Sequence, residues 1–212
     1  MRLAAPESVL TVLGIQTSSG SLAAAGAALD ATFPDIESYL DTTLLAGRRT
    51  DYFDLTSSDR VAPCLRLSCS FVSKDEPIIV SYSSDGAPLT PDNAATLDPS
   101  AYHIDYTLGI VYATSTFAAT RRSLAVTYSA GFDADVSDST SLSGLPDTLV
   151  QGAISKAASY MMLNPANVAK DKARFMATVT VHGLELKGVQ AIRQYTRPRG
   201  TVIWHSFSET IE

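Results

Sequence analysis

The side chains best suited to chemistry are few in this chain, and they are dispersed. The three histidines, His103, His182 and His205, stand in no HExxH spacing and beside no carboxylate pair that would make one a metal ligand or general base. His103 falls in an alternating segment, where a structural role is expected. Serines are abundant, but no GxSxG elbow raises one as a nucleophile, and neither GxGxxG nor a phosphate-binding loop occurs. Asp133, Asp135 and Asp138 lie close together, yet their loop lacks the glycine and closing glutamate of a calcium loop, so a solvated acidic connector is expected. Cys64 and Cys69 are an odd number of positions apart, which on a strand points them to opposite faces. They read as two reduced thiols with no disulfide and no zinc. Arg48–Arg49, Arg121–Arg122 and the Arg197/Arg199 pair form small basic spots, expected as solvated faces or contacts between subunits. The expectation is a protein that is not an enzyme and holds no metal or other cofactor.

Composition narrows the partners. A 212-residue chain that is 45% hydrophobic can build one sizeable core or two small ones. Its net charge of -6 argues against gripping nucleic acid through the average surface, because phosphate binding needs clustered Lys and Arg. The N-terminal run LAAPESVLTVLGI is short and broken by Pro6 and Glu7, so neither a secretory signal nor a membrane span is expected. The protein is expected to be soluble and cytoplasmic at synthesis.

Periodicity places these residues on elements. Residues 6–45 read as helical, opened by Pro6 and Glu7, broken at Ser18–Ser21, and kinked or restarted at Pro34. From Arg48 to Tyr128 the period is two: Tyr52–Leu55, Leu65–Phe71, Ile78–Tyr82, Tyr102–Tyr106, Ile110–Ala113 and Leu124–Tyr128 read as strands. Leu108-Gly109 marks a turn, and Ala130-Gly131 closes the last strand. Asp133–Ser143 reads as a mobile connector. Pro146 and Asp147 then start a helix whose stripe is Leu149, Val150, Ala153, Ile154, Ala157, Ala158 and Met161. A second helix around Val168–Met176, an extended piece at Thr178–Val181 and a final helical turn near Gly188–Tyr195 complete the pattern. The tail TRPRGTVIWHSFSETIE is too apolar to be left free. The fold expected is α+β: N- and C-terminal helices forming one bundle, an inserted antiparallel β-module and an extended C-terminal arm. The divisions expected are residues 1–47, 48–131, 132–177 and 178–212.

One ordered set of motifs stands out. PDIESYL is followed by strands, then YHIDYTLGIVYA, LAVTYSAGF, a loop, LPDTLVQGAISKAASYMM and GVQAIRQYTRPR. This order resembles the head-to-tail connector, or adaptor, proteins of tailed bacteriophages, through Tyr102, Gly109, Tyr128, Gly131, Pro146, Leu149, Ala153 and Arg197. The likeness runs from Pro34 to Arg197; the segment Arg48–Ala101 is longer than compact members need, and the tail past Arg199 reads as an extension. The resemblance implies a structural virion protein of the viral neck, a homo-oligomeric ring of about twelve copies. Such a ring docks on the portal protein and on the next tail component (a stopper, tail terminator or nozzle). Double-stranded DNA passes through its lumen without sequence-specific binding. Twelve copies would carry a net charge on the order of -72, which repels the DNA backbone and lets it slide. The residues expected to anchor a partner are Arg197, Arg199, Val202, Ile203, Trp204 and Phe207, with no membrane contact. The alternative expectation, resting on the long Arg48–Ala101 segment, is a β-rich carbohydrate- or receptor-binding module of a virion.

Overall fold

A computed structural model describes residues 1–55, 64–114, 117, 122–136, 140–163, 174–196 and 207–209; for 174–182 and 207–209 it describes the backbone. The protein is α+β. Its chain forms two compact units: Met1–Asp41 with Phe132–Thr196, and Thr42–Gly131 with the C-terminal segment.

The first unit is helical. Helix α1 (Pro6–Leu13) starts with proline at its first turn, where the missing N–H costs nothing, and ends on Gly14 in the left-handed region at φ 65°. Helix α2 (Ser19–Leu40) opens with a reciprocal cap. Ser18 Oγ accepts from the Ser21 backbone N–H at 3.1 Å, and Ser21 Oγ accepts from the Ser18 N–H at 2.8 Å. The expected break at Ser18–Ser21 is therefore the start of the helix, and no restart occurs at Pro34, which lies inside it. An interior proline costs about 3 kcal/mol. Burial of Phe33, Ile36 and Leu40 on either side of it offsets that cost.

Helix α3 (Asp147–Leu163) buries Leu149, Ala153, Ile154, Ala157, Ala158 and Met161. These are the stripe residues expected, with Val150 packed partly buried beside them. Ile154, Ala157, Ala158 and Met161 share a core with Ala4, Val9, Leu10, Ala25, Ala28 and Leu29, so α1, α2 and α3 have one apolar centre. Helix α4 (Arg174–Arg193) is continuous. The extended piece expected at Thr178–Val181 is helical; β-branched residues disfavour helix by only a few tenths of a kcal/mol each, too little to end one. The segment expected to be a mobile connector is hydrogen-bonded on both flanks: Asp135 N–H donates to Ser141 O at 2.9 Å and Ser143 N–H to Asp133 O at 2.9 Å. Arg2 adds to it, donating to Thr140 O and accepting from Leu142 N–H.

The second unit is antiparallel β. Its strands are β1 (Gly47–Phe53), β2 (Cys64–Arg66), β3 (Ile79–Ser83), β4 (Ala94–Thr96), β5 (Tyr102–Asp105), β6 (Ile110–Ala113), β7 (Leu124–Ala130) and β8 (Phe207–Glu209). One sheet runs β4-β3-β7-β1-β8 and the other β2-β6-β5. Both feed a single core that includes Phe53, Leu65, Leu67, Val80, Val111, Leu124, Val126 and Tyr128. Strand β7 is central and buries residues on both faces. The strand expected over Leu65–Phe71 ends at Arg66. Alternate burial persists through Leu67 and Cys69 and stops at the buried Ser70, and Phe71 takes φ 56°, which no strand continues through.

Candidate interaction surface

The two glycines that anchor the ordered motif occupy positions that only glycine fits. Gly109 closes the β5–β6 turn at φ 64°, and a Cβ there would stand 2.1 Å from the Cys69 carbonyl oxygen. Asp105 shapes that turn, its carboxyl accepting from the N–H groups of Thr107 and Leu108 at 3.0 and 2.9 Å. Gly131 ends β7 at φ 95°, with a Cβ position 2.4 Å from the Leu45 carbonyl oxygen.

Tyr128, three residues before Gly131, is the centre of a buried polar hub. Its hydroxyl donates to Asp51 Oδ2 at 2.8 Å and accepts from the Cys69 N–H at 3.1 Å. Asp51 also accepts from Ser68 N–H at 2.5 Å and Ser68 Oγ at 2.8 Å. Both Asp51 and Tyr128 are at most 1% exposed. Burial, reinforced by the Asp51 charge, pushes the Tyr128 phenol far above its ordinary range, so it stays a neutral donor. The hub ties the loop after β2 to β1 and β7. Asp51 escaped the reading of the sequence, which starts the strand at Tyr52; its signal was the alternation around it, which points Asp51 and Phe53 to one face.

Directly along this strand lies the edge that meets the C-terminal segment. Strand β1 pairs with β7 over its whole length, from Gly47 with Ala130 to Phe53 with Leu124. On its other side it pairs with β8 through Thr50–Glu209, Asp51–Ser208 and Tyr52–Phe207. Of the six expected anchors, the structure describes Phe207, by its backbone in β8; Arg197, Arg199, Val202, Ile203 and Trp204 lie outside the described residues.

The remaining candidates are scattered. His103 is exposed on β5 opposite Tyr112, His182 falls within α4, and His205 lies outside the described residues. Cys64 is a half-buried free thiol, pushed up in pKa by burial, and Cys69 is buried and free. Among the described residues no cluster of His, Cys, Asp or Glu could hold a metal ion; Asp138 lies outside them. Arg48 is exposed on β1, while Arg122 rests its guanidinium 4.3 Å from the centre of the Tyr52 ring. Among the described residues no helix is long and apolar enough to cross a membrane. No protein-family model matches the chain, and no characterised protein matches it.

Proposed function

We propose that the protein is a head-to-tail adaptor of a tailed bacteriophage, a self-assembling ring subunit that docks on the portal and joins it to the next tail component. The observation that carries this reading is the ordered series of hairpin, glycine-ended strand and proline-started helix, in which Gly109 and Gly131 each meet a steric demand that no other residue satisfies. The net charge of -6 supports it, since an acidic lumen lets DNA pass without holding it. The location that follows is the virion neck, after assembly in the host cytoplasm. Ala157 and Ala158 are occupied inside the helical unit, so lateral contacts between copies would fall to other surfaces. Native mass spectrometry and negative-stain imaging of the purified protein, alone and with its portal, test the reading. A closed ring that binds portal is the expected result; a monomer that never joins portal would overturn it. The alternative, a carbohydrate- or receptor-binding module, has one exposed aromatic side chain to offer among the described residues of the β unit, Tyr112.

A further inference from the structure

We infer that β8 is an exchangeable strand: the β1 edge that it covers within one chain also takes β8 of a second copy, linking copies by backbone pairing. The inference rests on the reading of the chain as a self-associating subunit and names the contact that would join its copies.

Four observations lead there. The acceptor edge is preformed, because β1 is held along all seven of its residues by β7 whether or not β8 is present. The donor is short: β8 engages three residues of β1, through Thr50–Glu209, Asp51–Ser208 and Tyr52–Phe207. A three-residue edge strand opens at small cost, since few backbone bonds hold it. The donor also belongs to the β unit while the helix before it, α4, belongs to the helical unit. It is therefore a separate end piece and no part of a hairpin with β1. Finally, exchange between identical copies restores the same three residue pairs, so the closed and exchanged forms differ mainly in effective concentration. At the other edge of the sheet, β4 is also three residues long, but it follows β3 closely in sequence and pairs with it locally, which leaves it no comparable freedom.

Cross-linking between cross-strand partners tests this. Two versions of the full chain, each with Cys64→Ser and Cys69→Ala, carry Thr50→Cys in one and Glu209→Cys in the other. They are co-expressed with tags of different size, oxidised mildly and run without reductant. Exchange predicts a mixed disulfide roughly tenfold or more above a control pair in which Ser84→Cys replaces Thr50→Cys. A chain carrying both Thr50→Cys and Glu209→Cys that closes only within itself, with no mixed product from the single variants, overturns the inference. So does the absence of any Thr50–Glu209 bond in either arrangement. Ser208→Pro in the otherwise unchanged chain gives a second reading: it removes a strand N–H and should reduce the oligomer while the monomer still melts cooperatively. Undiminished oligomer in that variant also overturns exchange. A ring with only intrachain bonds rejects exchange and leaves the adaptor reading standing, whereas mixed disulfides without a ring do the reverse.

Discussion

The two units are held together by opposite means. In the helical unit the decisive contacts are made by the absence of side chains. Gly152 on α3 and Gly188 on α4 face each other: a Cβ on Gly152 would stand 2.5 Å from Ile192 Cγ2 and 3.2 Å from the Gly188 carbonyl oxygen. A Cβ on Gly188 would stand 3.1 Å from the Gly152 carbonyl oxygen. The backbones of α3 and α4 thus approach through paired glycines, each of which would cost helix stability if it stood alone. In the β unit the decisive contact is a buried carboxyl group, Asp51, satisfied by Ser68 and Tyr128 from distant parts of the chain. Close packing tolerates small errors by local shifts. A buried polar hub does not, because each orphaned donor loses its partner and has no water to replace it.

The largest expected effect follows from that difference. Asp51→Ala removes the acceptor shared by the Tyr128 hydroxyl and both Ser68 donors and should lower unfolding free energy by about 3–5 kcal/mol. Denaturant melts followed by tyrosine fluorescence measure it. Tyr128→Phe should cost less, about 1–3 kcal/mol, and the double variant should fall well short of the sum of the two. Additive losses would show that the two residues act separately.

Gly131→Ala comes next. It places a Cβ at φ 95° against the Leu45 carbonyl and should cost about 2–3 kcal/mol, read from the same melts.

In the helical unit, Gly152→Ala and Gly188→Ala should each cost about 1–3 kcal/mol by overpacking. Gly183→Ala supplies the opposite sign. A Cβ at Gly183 meets nothing within 4 Å, so in the same helix it should stabilise by about 0.5–1 kcal/mol. Equal losses at all three positions would reject the paired-glycine contact.

The smallest effect concerns the tie between α2 and α3. Asp35 accepts from the Tyr160 hydroxyl and from Lys156 Nζ at 3.0 Å. The Tyr160 bond first, and then Lys156, hold its carboxyl below the ordinary value of 3.8. A folded-state pKa that is depressed contributes stability above the ordinary pKa, and that contribution fades as pH falls through the lower, folded value. Since the Asp35 side chain is 44% exposed, the loss in Asp35→Asn at pH 7 should be about 0.5 kcal/mol. Thermal melts of both proteins at pH 7 and at pH 2 should therefore differ at the higher pH and converge at the lower. If the protein is the adaptor proposed, removal of Thr201–Glu212 should likewise leave the melts of the helical unit nearly unchanged while weakening association between copies and with portal.

What could be read from the sequence was local. The turn signals at Gly109 and Gly131, the period-two strands around them and the proline before α3 depend on residues close in sequence, so the hairpin, β7 and α3 could all be recognised, whereas the approach of the Cys69 and Leu45 carbonyls to those glycines could not. The expected restart at Pro34 and extended piece at Thr178–Val181 were also local readings, and the fold overrides both: buried Phe33 and Ile36 carry α2 through its proline, and α4 runs unbroken past its β-branched run. Three features needed the folded chain. Asp51 meets Tyr128 across 77 positions, Gly152 meets Gly188 across two helices, and β8 returns to the edge of β1 from the far end of the sequence. Each depends on a partner that no local pattern names. A carboxyl group, a helical glycine or a three-residue strand takes its meaning only from what the fold brings against it, and that was decided by tertiary structure alone.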